Sequence, residues 1–204
     1  MIQKFKEQCL AQVANIDQER KGEIQLIAEA LRPALTEETK LLFVDTHNSR
    51  SGIFAQIWAK CWAMHFGLKQ LKIYSGGMKE ESIHNNTINA LNRAGLFVNR
   101  LDYQENARYQ AFYHEGDAPV AVFSKLLDDY ANPKTDFFAV VTSQAAKDNY
   151  PEIAGAQQTL SLIFPDIRQV DGTMEEDRIY SEYNLRIATE LCCLMGMLGD
   201  NKLP

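Results

Sequence analysis

The sequence predicts a doubly wound α/β domain: a four-stranded, mainly parallel sheet flanked by helices and preceded by a helical extension over residues 1–35. It does so on three grounds. Short, unbroken apolar runs such as Leu41, Leu42, Phe43 and Val44 are bounded by polar loops, the pattern of strands buried on both faces. Longer stretches between them place apolar residues at helical spacing. The chain has 204 residues, 46% hydrophobic and 24% charged, enough for one domain with a full core over residues 36–204.

The elements follow in order. Residues 1–35 read as two helices with a break near 17–22; Ile24, Ile27, Ala28 and Leu31 recur at helical spacing, and Pro33 lies near the end. The pair is expected either to pack on the main domain or to form a homodimer contact. A polar connector, 36–40, leads to the first strand, 41–44, which ends at Asp45. A helix over 53–66 follows, with Gly67 as its C-cap. The second strand, 71–75, breaks at Gly76 and Gly77, and a helix over 84–94 is closed by Gly95. Residues 98–101 form a short extended piece. Residues 109–114 alternate in polarity, turn at Glu115, Gly116 and Asp117, and lead into 120–123, a hairpin joined to another buried strand. Residues 137–142 are the fourth buried strand. A polar helix over 145–150 comes next, then a loop with Phe164, Pro165 and Asp166, and a long helix over 174–198. Thr173 is its expected N-cap, with Glu175 and Glu176 favourably placed in the first turn.

Composition excludes several functions. A net charge of −6 and a pI near 5.3 oppose general nucleic-acid binding, which needs a basic surface. Residues 1–10 mix Lys, Glu and Gln with apolar residues, unlike a signal peptide, and the longest apolar run, 191–198, is too short for a bilayer, which needs about 20 residues. No membrane partner is expected, and a cytoplasmic location is expected. Cys9, Cys61, Cys192 and Cys193 lie in helical segments without metal-ligand spacing, so they read as reduced, buried thiols. No metal and no cofactor is expected.

Chemistry is expected at the carboxyl end of the first strand, where ligands of doubly wound sheets bind. There Asp45, Thr46, His47, Asn48, Ser49, Arg50, Ser51 and Gly52 join a strand to a helix N-terminus. Successive backbone N–H groups and the helix dipole make such a loop an anion site. The same spacing also fits a capped turn without a ligand.

This loop, with the following Phe54, Ala55, Gln56, Ile57, Trp58 and Ala59, resembles the low-molecular-weight protein tyrosine phosphatase superfamily, especially its arsenate-reductase-like bacterial branch. The resemblance continues through Tyr74-Ser75-Gly76-Gly77, Ala90-Leu91-Asn92-Arg93-Ala94-Gly95 and Phe123-Ser124-Lys125. It extends through Val140-Val141-Thr142, Asn149-Tyr150-Pro151, Asp171-Gly172-Thr173 and Ile187-Ala188-Thr189-Glu190, covering roughly residues 40–198. It implies the phosphotyrosine protein phosphatase I-like fold.

The family's signature is a Cys, five residues, an Arg and usually a Ser. An ungapped alignment anchored on Asn48 and Gln56-Ile57-Trp58 puts Asp45 at the Cys, Ser51 at the Arg and Gly52 at the Ser. Asn48, the family's loop brace, is kept. A thiolate is the stronger nucleophile. An ionised Asp45 would instead repel a phosphate charge about 4 Å away by about 4 kcal/mol at an effective dielectric of 20, and the bidentate Arg that would offset it is gone. Arg50 falls one residue before the Arg position; a loop shortened by one residue would aim it inward, and otherwise it points outward. His47 reads as an anion stabiliser or as an exposed loop histidine. Asp166 aligns with the family's general acid, although Ile167 replaces the usual Pro; an ordinary loop Asp is the other reading. The relay cysteines of thiol-dependent arsenate reductases correspond here to Ser143 and Tyr150.

The resemblance therefore implies a phosphatase-like chain whose reactive groups are replaced. It is expected to act as a binding or structural relative, with a phosphate-like anion or a phosphoprotein as partner. The alternative is a phosphate-ester hydrolase with altered chemistry, using Asp45 as nucleophile or base and Asp166 as acid. An interaction protein working through its N-terminal helices is a third expectation.

Overall fold

The computed structural model describes residues 1–113 and 118–199; His114 and the turn predicted at Glu115, Gly116 and Asp117 lie outside them. Helices α1 (Ile2–Gln12) and α2 (Gln18–Leu31) come first, separated by a single 3₁₀ turn at Val13–Asn15. The break thus falls earlier than predicted, because Asp17 caps α2 by accepting the Arg20 N–H at 2.8 Å.

Four strands form a parallel sheet in the order β2 (Leu71–Gly77), β1 (Thr39–Asp45), β6 (Phe137–Val141) and β7 (Ala156–Ser161). The fold class matches the prediction, with one exchange of members. Residues 120–123 were expected in this sheet, but β5 (Val120–Val122) pairs antiparallel with β4 (Tyr109–Phe112). That strand in turn pairs with β3 (Phe97–Arg100), completing a separate three-stranded sheet. The fourth parallel strand is β7, a segment read from sequence as loop. Its residues are mostly half-exposed, so it lacks the apolar run that marks a strand buried on both faces.

The first strand is buried on both sides. Leu41 and Phe43 join the larger core beneath the helices, while Leu42 and Val44 join a smaller cluster with Phe137, Ala139, Val141, Ala146 and Ile153. Helix α3 (Ser51–His65) runs through the larger core, and Gly67 follows its end with φ +74°, the left-handed position expected of it. Helix α4 (Asn85–Arg93) begins at His84, whose ring nitrogen accepts the Asn86 N–H. A short helix, α5 (Gln144–Asn149), is capped by Ser143.

The final helix, α6 (Glu176–Leu198), packs along α3; Trp58 Nε1 donates to Asn184 Oδ1 at 2.6 Å and Trp62 Nε1 to the Ala188 carbonyl at 2.9 Å. Thr173 is not its N-cap. That hydroxyl donates to the Val170 carbonyl within a preceding turn, and Glu175 holds the cap position without a side-chain bond. The apolar faces of α1 and α2, including Cys9, Ile24, Ile27 and Leu31, lie in the same core as α6. None of the described helices is long and apolar enough to cross a membrane.

Candidate functional site

Strand β1 sends its connection to β2 on one side and has β6 on the other, so the sheet's strand order reverses beside it. Such switch points open a crevice at the carboxyl ends of the strands. A cavity of about 350 Å³ lies there. The loop after β1 forms one side, Ser143, Gln144 and Ala145 after β6 a second, and residues 163–168 after β7 a third, with Tyr183 of α6 completing it.

Asp45 is only 4% exposed. Its Oδ1 accepts the Asn48 N–H, and its Oδ2 accepts the Gly52 N–H at 2.8 Å and the Ser51 hydroxyl at 3.2 Å. Gly52 is in the first turn of α3, where the N–H groups have no intrahelical partner. Arg50, at the N-cap position, makes no side-chain cap bond. Asp45 therefore caps α3 from the end of the neighbouring strand, and the helix dipole favours its charge. Burial pushes its carboxyl above the usual range, while the Gly52 and Asn48 N–H groups and the Ser51 hydroxyl pull the other way.

The loop fits closely against β2. A Cβ on Gly77 would lie 2.8 Å from the Asn48 nitrogen and 2.9 Å from the His47 carbonyl carbon, so only glycine admits the loop there. Strand β2 continues through Gly76 and Gly77, paired with Val44 and Asp45, instead of breaking at them. Asn48, at φ +48°, braces the loop through its side-chain N–H₂ group, which faces the Phe123 and Lys125 carbonyls at 3.4 Å. Its Oδ1 is buried and finds no donor among the described residues. Ser49 ties the loop to the segment before α4, donating to the Ser82 carbonyl at 2.7 Å and accepting the His84 N–H at 3.1 Å. Thr46 and Ser143 share a hydroxyl contact of 2.9 Å, and Ser51 shares one of 3.1 Å with Thr142.

Arg50 lines the cavity, but its guanidinium is held at the side of it. Its Nε donates to the Tyr180 hydroxyl at 2.6 Å and its Nη2 pairs with Asp171, which also accepts the Tyr180 hydroxyl at 2.7 Å. His84 stacks on Tyr180 at 5.3 Å, and burial together with Arg50 lowers its basicity. His47 is mostly covered and lies 3.5 Å from Glu81.

Asp166 shares the cavity with Asp45, and Arg168 grips it with a fork: Nε at 2.9 Å and Nη2 at 2.7 Å to Oδ2. Those bonds hold its carboxyl below the usual range. A general acid needs the opposite shift.

Sequence reasoning passed over Arg168 and Tyr183. Tyr183 is 6% exposed at the cavity, and burial, with the Asp45 charge, raises its phenol. In the sequence it is one more aromatic on the inner face of a long helix. Asp171 appears there only within a motif, with no sign that it would hold Arg50. The four cysteines are buried, and none lines the cavity. Burial pushes the Cys9 thiol up to about 12, and those of Cys192 and Cys193 also upward. No three His, Cys, Asp or Glu side chains among the described residues are grouped to hold a metal ion.

Sheet order, flanking helices and a strand-to-helix loop at the switch point together give the fold of the low-molecular-weight protein tyrosine phosphatases. Among solved structures, a variant of the YwlE arginine phosphatase with a phosphorylated active-site serine is similar at TM-score 0.53 and 13% identity, over 78% of this chain and 95% of that one. A YwlE mutant from Bacillus subtilis gives 0.52 and 14%, over 78% and 98%. The YwlE arginine phosphatase from Geobacillus stearothermophilus gives 0.50 and 15%, over 78% and 92%. No protein-family model matches the chain, and no curated protein matches its sequence.

Proposed function

We propose that this chain is a non-catalytic relative of the low-molecular-weight phosphatases and arsenate reductases, with the cavity beside β1 serving as a binding site. The observation that supports it most is the bonding of Asp45. Its carboxylate takes the N–H groups of Asn48 and Gly52, so part of the cradle that an anion would need is already filled by the chain itself. By the resemblance, Asp45 stands at the nucleophile position and Ser51 at the position of the phosphate-binding Arg. Asp45 accepts three hydrogen bonds, one on Oδ1 and two on Oδ2, which fixes the carboxylate as a cap of the loop and helix.

An altered hydrolase using Asp45 and Asp166 gains no support, because Arg168 keeps Asp166 ionised. A phosphate-like ligand is consistent with the phosphatase neighbours. In this cavity, however, a dianion would meet Asp45 and Asp166, while Arg50 and Arg168 are each engaged with a carboxylate. A second copy docking on α1 and α2 would have to use their outer faces, since the inner ones are packed against α6. A cytosolic setting, suited to four buried thiols, belongs to the same proposal.

The test is hydrolysis of p-nitrophenyl phosphate by the purified chain and by Asp45→Ala across pH 5 to 8. Both should stay at background. Turnover by the natural chain that Asp45→Ala abolishes would overturn the proposal, as would a phosphorylated Asp45 detected by mass spectrometry during turnover.

A further inference from the structure

We propose, resting on the non-catalytic reading above, that the cavity takes an organic cation on an aliphatic stem: a lysine-like ammonium or an arginine-like guanidinium. Both arginines that line the cavity already have a carboxylate. Arg50 pairs with Asp171 and Arg168 with Asp166. Asp45 is different: its partners are two backbone N–H groups and one hydroxyl, with no side-chain cation bonded to it among the described residues. With both arginines paired, Asp45 is the cavity carboxyl that has no bonded side-chain cation among the described residues; when ionised it is an unpaired negative charge. It repels a phosphate and attracts a cation through the same Coulomb interaction.

The hydrogen-bonding balance has the same sign. Two of the loop N–H groups are spent on Asp45, and the position that would supply a guanidinium is Ser51, with a single hydroxyl. Acceptors are in surplus. Asn48 Oδ1 has no donor among the described residues, although Asn48 is fully buried and does not line the cavity. The loop is thus short of donors, which an ammonium or guanidinium brings and a phosphate does not. A carboxylate oriented by fixed dipoles, with no side-chain cation bonded to it among the described residues, is a prepared counter-charge.

The shape fits such a ligand. Ile163, Phe164, Pro165 and Ile167 give the cavity an apolar surface for methylene groups, and Asp45 and the hydroxyl-bearing Ser51 line it as well. A volume of about 350 Å³ is ample for one such side chain.

The experiment is an NMR titration of the ¹⁵N-labelled full chain at constant ionic strength, with three probes: N-acetyl-lysine methylamide, N-acetyl-arginine methylamide and inorganic phosphate. One or both cations should shift the amides of residues 45–52, 143–146 and 163–168 saturably, at millimolar affinity or tighter, and phosphate should not. Which cation saturates first tells ammonium from guanidinium. Asp45→Asn should weaken cation binding at least tenfold. Asp171→Asn, which frees Arg50 and leaves Asp45 in place, should weaken it severalfold and let phosphate bind; it keeps the test decisive if Asp45→Asn does not fold. Saturable phosphate binding without cation binding, no response to any probe, or unchanged affinity in whichever of these variants fold would overturn the proposal. Hydrolysis of p-nitrophenyl phosphate by the same sample would overturn the non-catalytic reading instead, so the two failures are distinguishable.

Discussion

Replacing Arg20 should be among the most damaging single changes outside the cavity. Its side chain and that of Glu190 are 10% and 5% exposed, and Nη2 lies 2.7 Å from Glu190 Oε2. The same guanidinium donates to the Ile163 carbonyl at 2.9 Å and lies over the Phe164 ring at 5.0 Å. Arg20 thus connects α2 both to α6 and to the segment forming the cavity's apolar wall. Breaking a buried pair by removing one partner costs about 3–5 kcal/mol, because the other charge is left uncompensated. Arg186 also bonds Glu190 at 2.9 Å, which places Arg20→Ala near the lower end, about 3 kcal/mol. In urea, with a slope of about 2 kcal/mol/M, the unfolding midpoint should fall by about 1.5 M. Hydrogen exchange should also accelerate more at residues 163–168 than in β1. A loss below about 1 kcal/mol, the value of an exposed pair, would refute this picture of α2 as a buried anchor.

Three further outcomes follow from the site. Asp45 has its carboxyl raised by burial, so its contribution to stability is present below its ordinary value of 3.8 and is lost as pH rises through the higher folded value. Asp45→Asn should therefore gain on the natural chain as pH rises from 4 to 7, measured by thermal unfolding at each pH; the reverse trend would contradict it. Arg168→Ala should move the titration of Asp166 upward in carbon-detected NMR, since Arg168 is the main cause of its depression, and an unmoved midpoint would show the fork to be inert. Gly77→Ala must push the 46–48 loop off β2, costing about 1–3 kcal/mol, or roughly 2–12 °C in melting temperature; an unchanged melt would mean the loop yields freely.

Much of the framework is legible because burial on both faces leaves a local trace. Leu41 to Val44 form an unbroken apolar run, and α3 follows with its glycine at the left-handed end. Strand β7 leaves no such trace: Ala156-Gln157-Gln158-Thr159-Leu160-Ser161 lies at the sheet edge, half-exposed, and reads as loop. Val120–Val122 shows the converse, an apolar triplet that pairs in the smaller sheet although nothing local distinguishes the two.

At the site, the loop from Asp45 to Gly52 was legible as a connection from a strand to a helix N-terminus. The direction of Arg50 was not, because it depends on Asp171 and Tyr180, which lie 121 and 130 residues further along the chain. Nor was the pairing of Asp166 with Arg168, two residues apart on an irregular loop whose backbone geometry no periodicity encodes.

The most direct measurement for the central claim is steady-state hydrolysis of p-nitrophenyl phosphate by the natural chain beside the double variant Asp45→Cys with Ser51→Arg. A scaffold that lacks only its reactive groups should be silent in natural form and should turn over as the double variant. Turnover by the natural chain that disappears when Asp45 is replaced would contradict it.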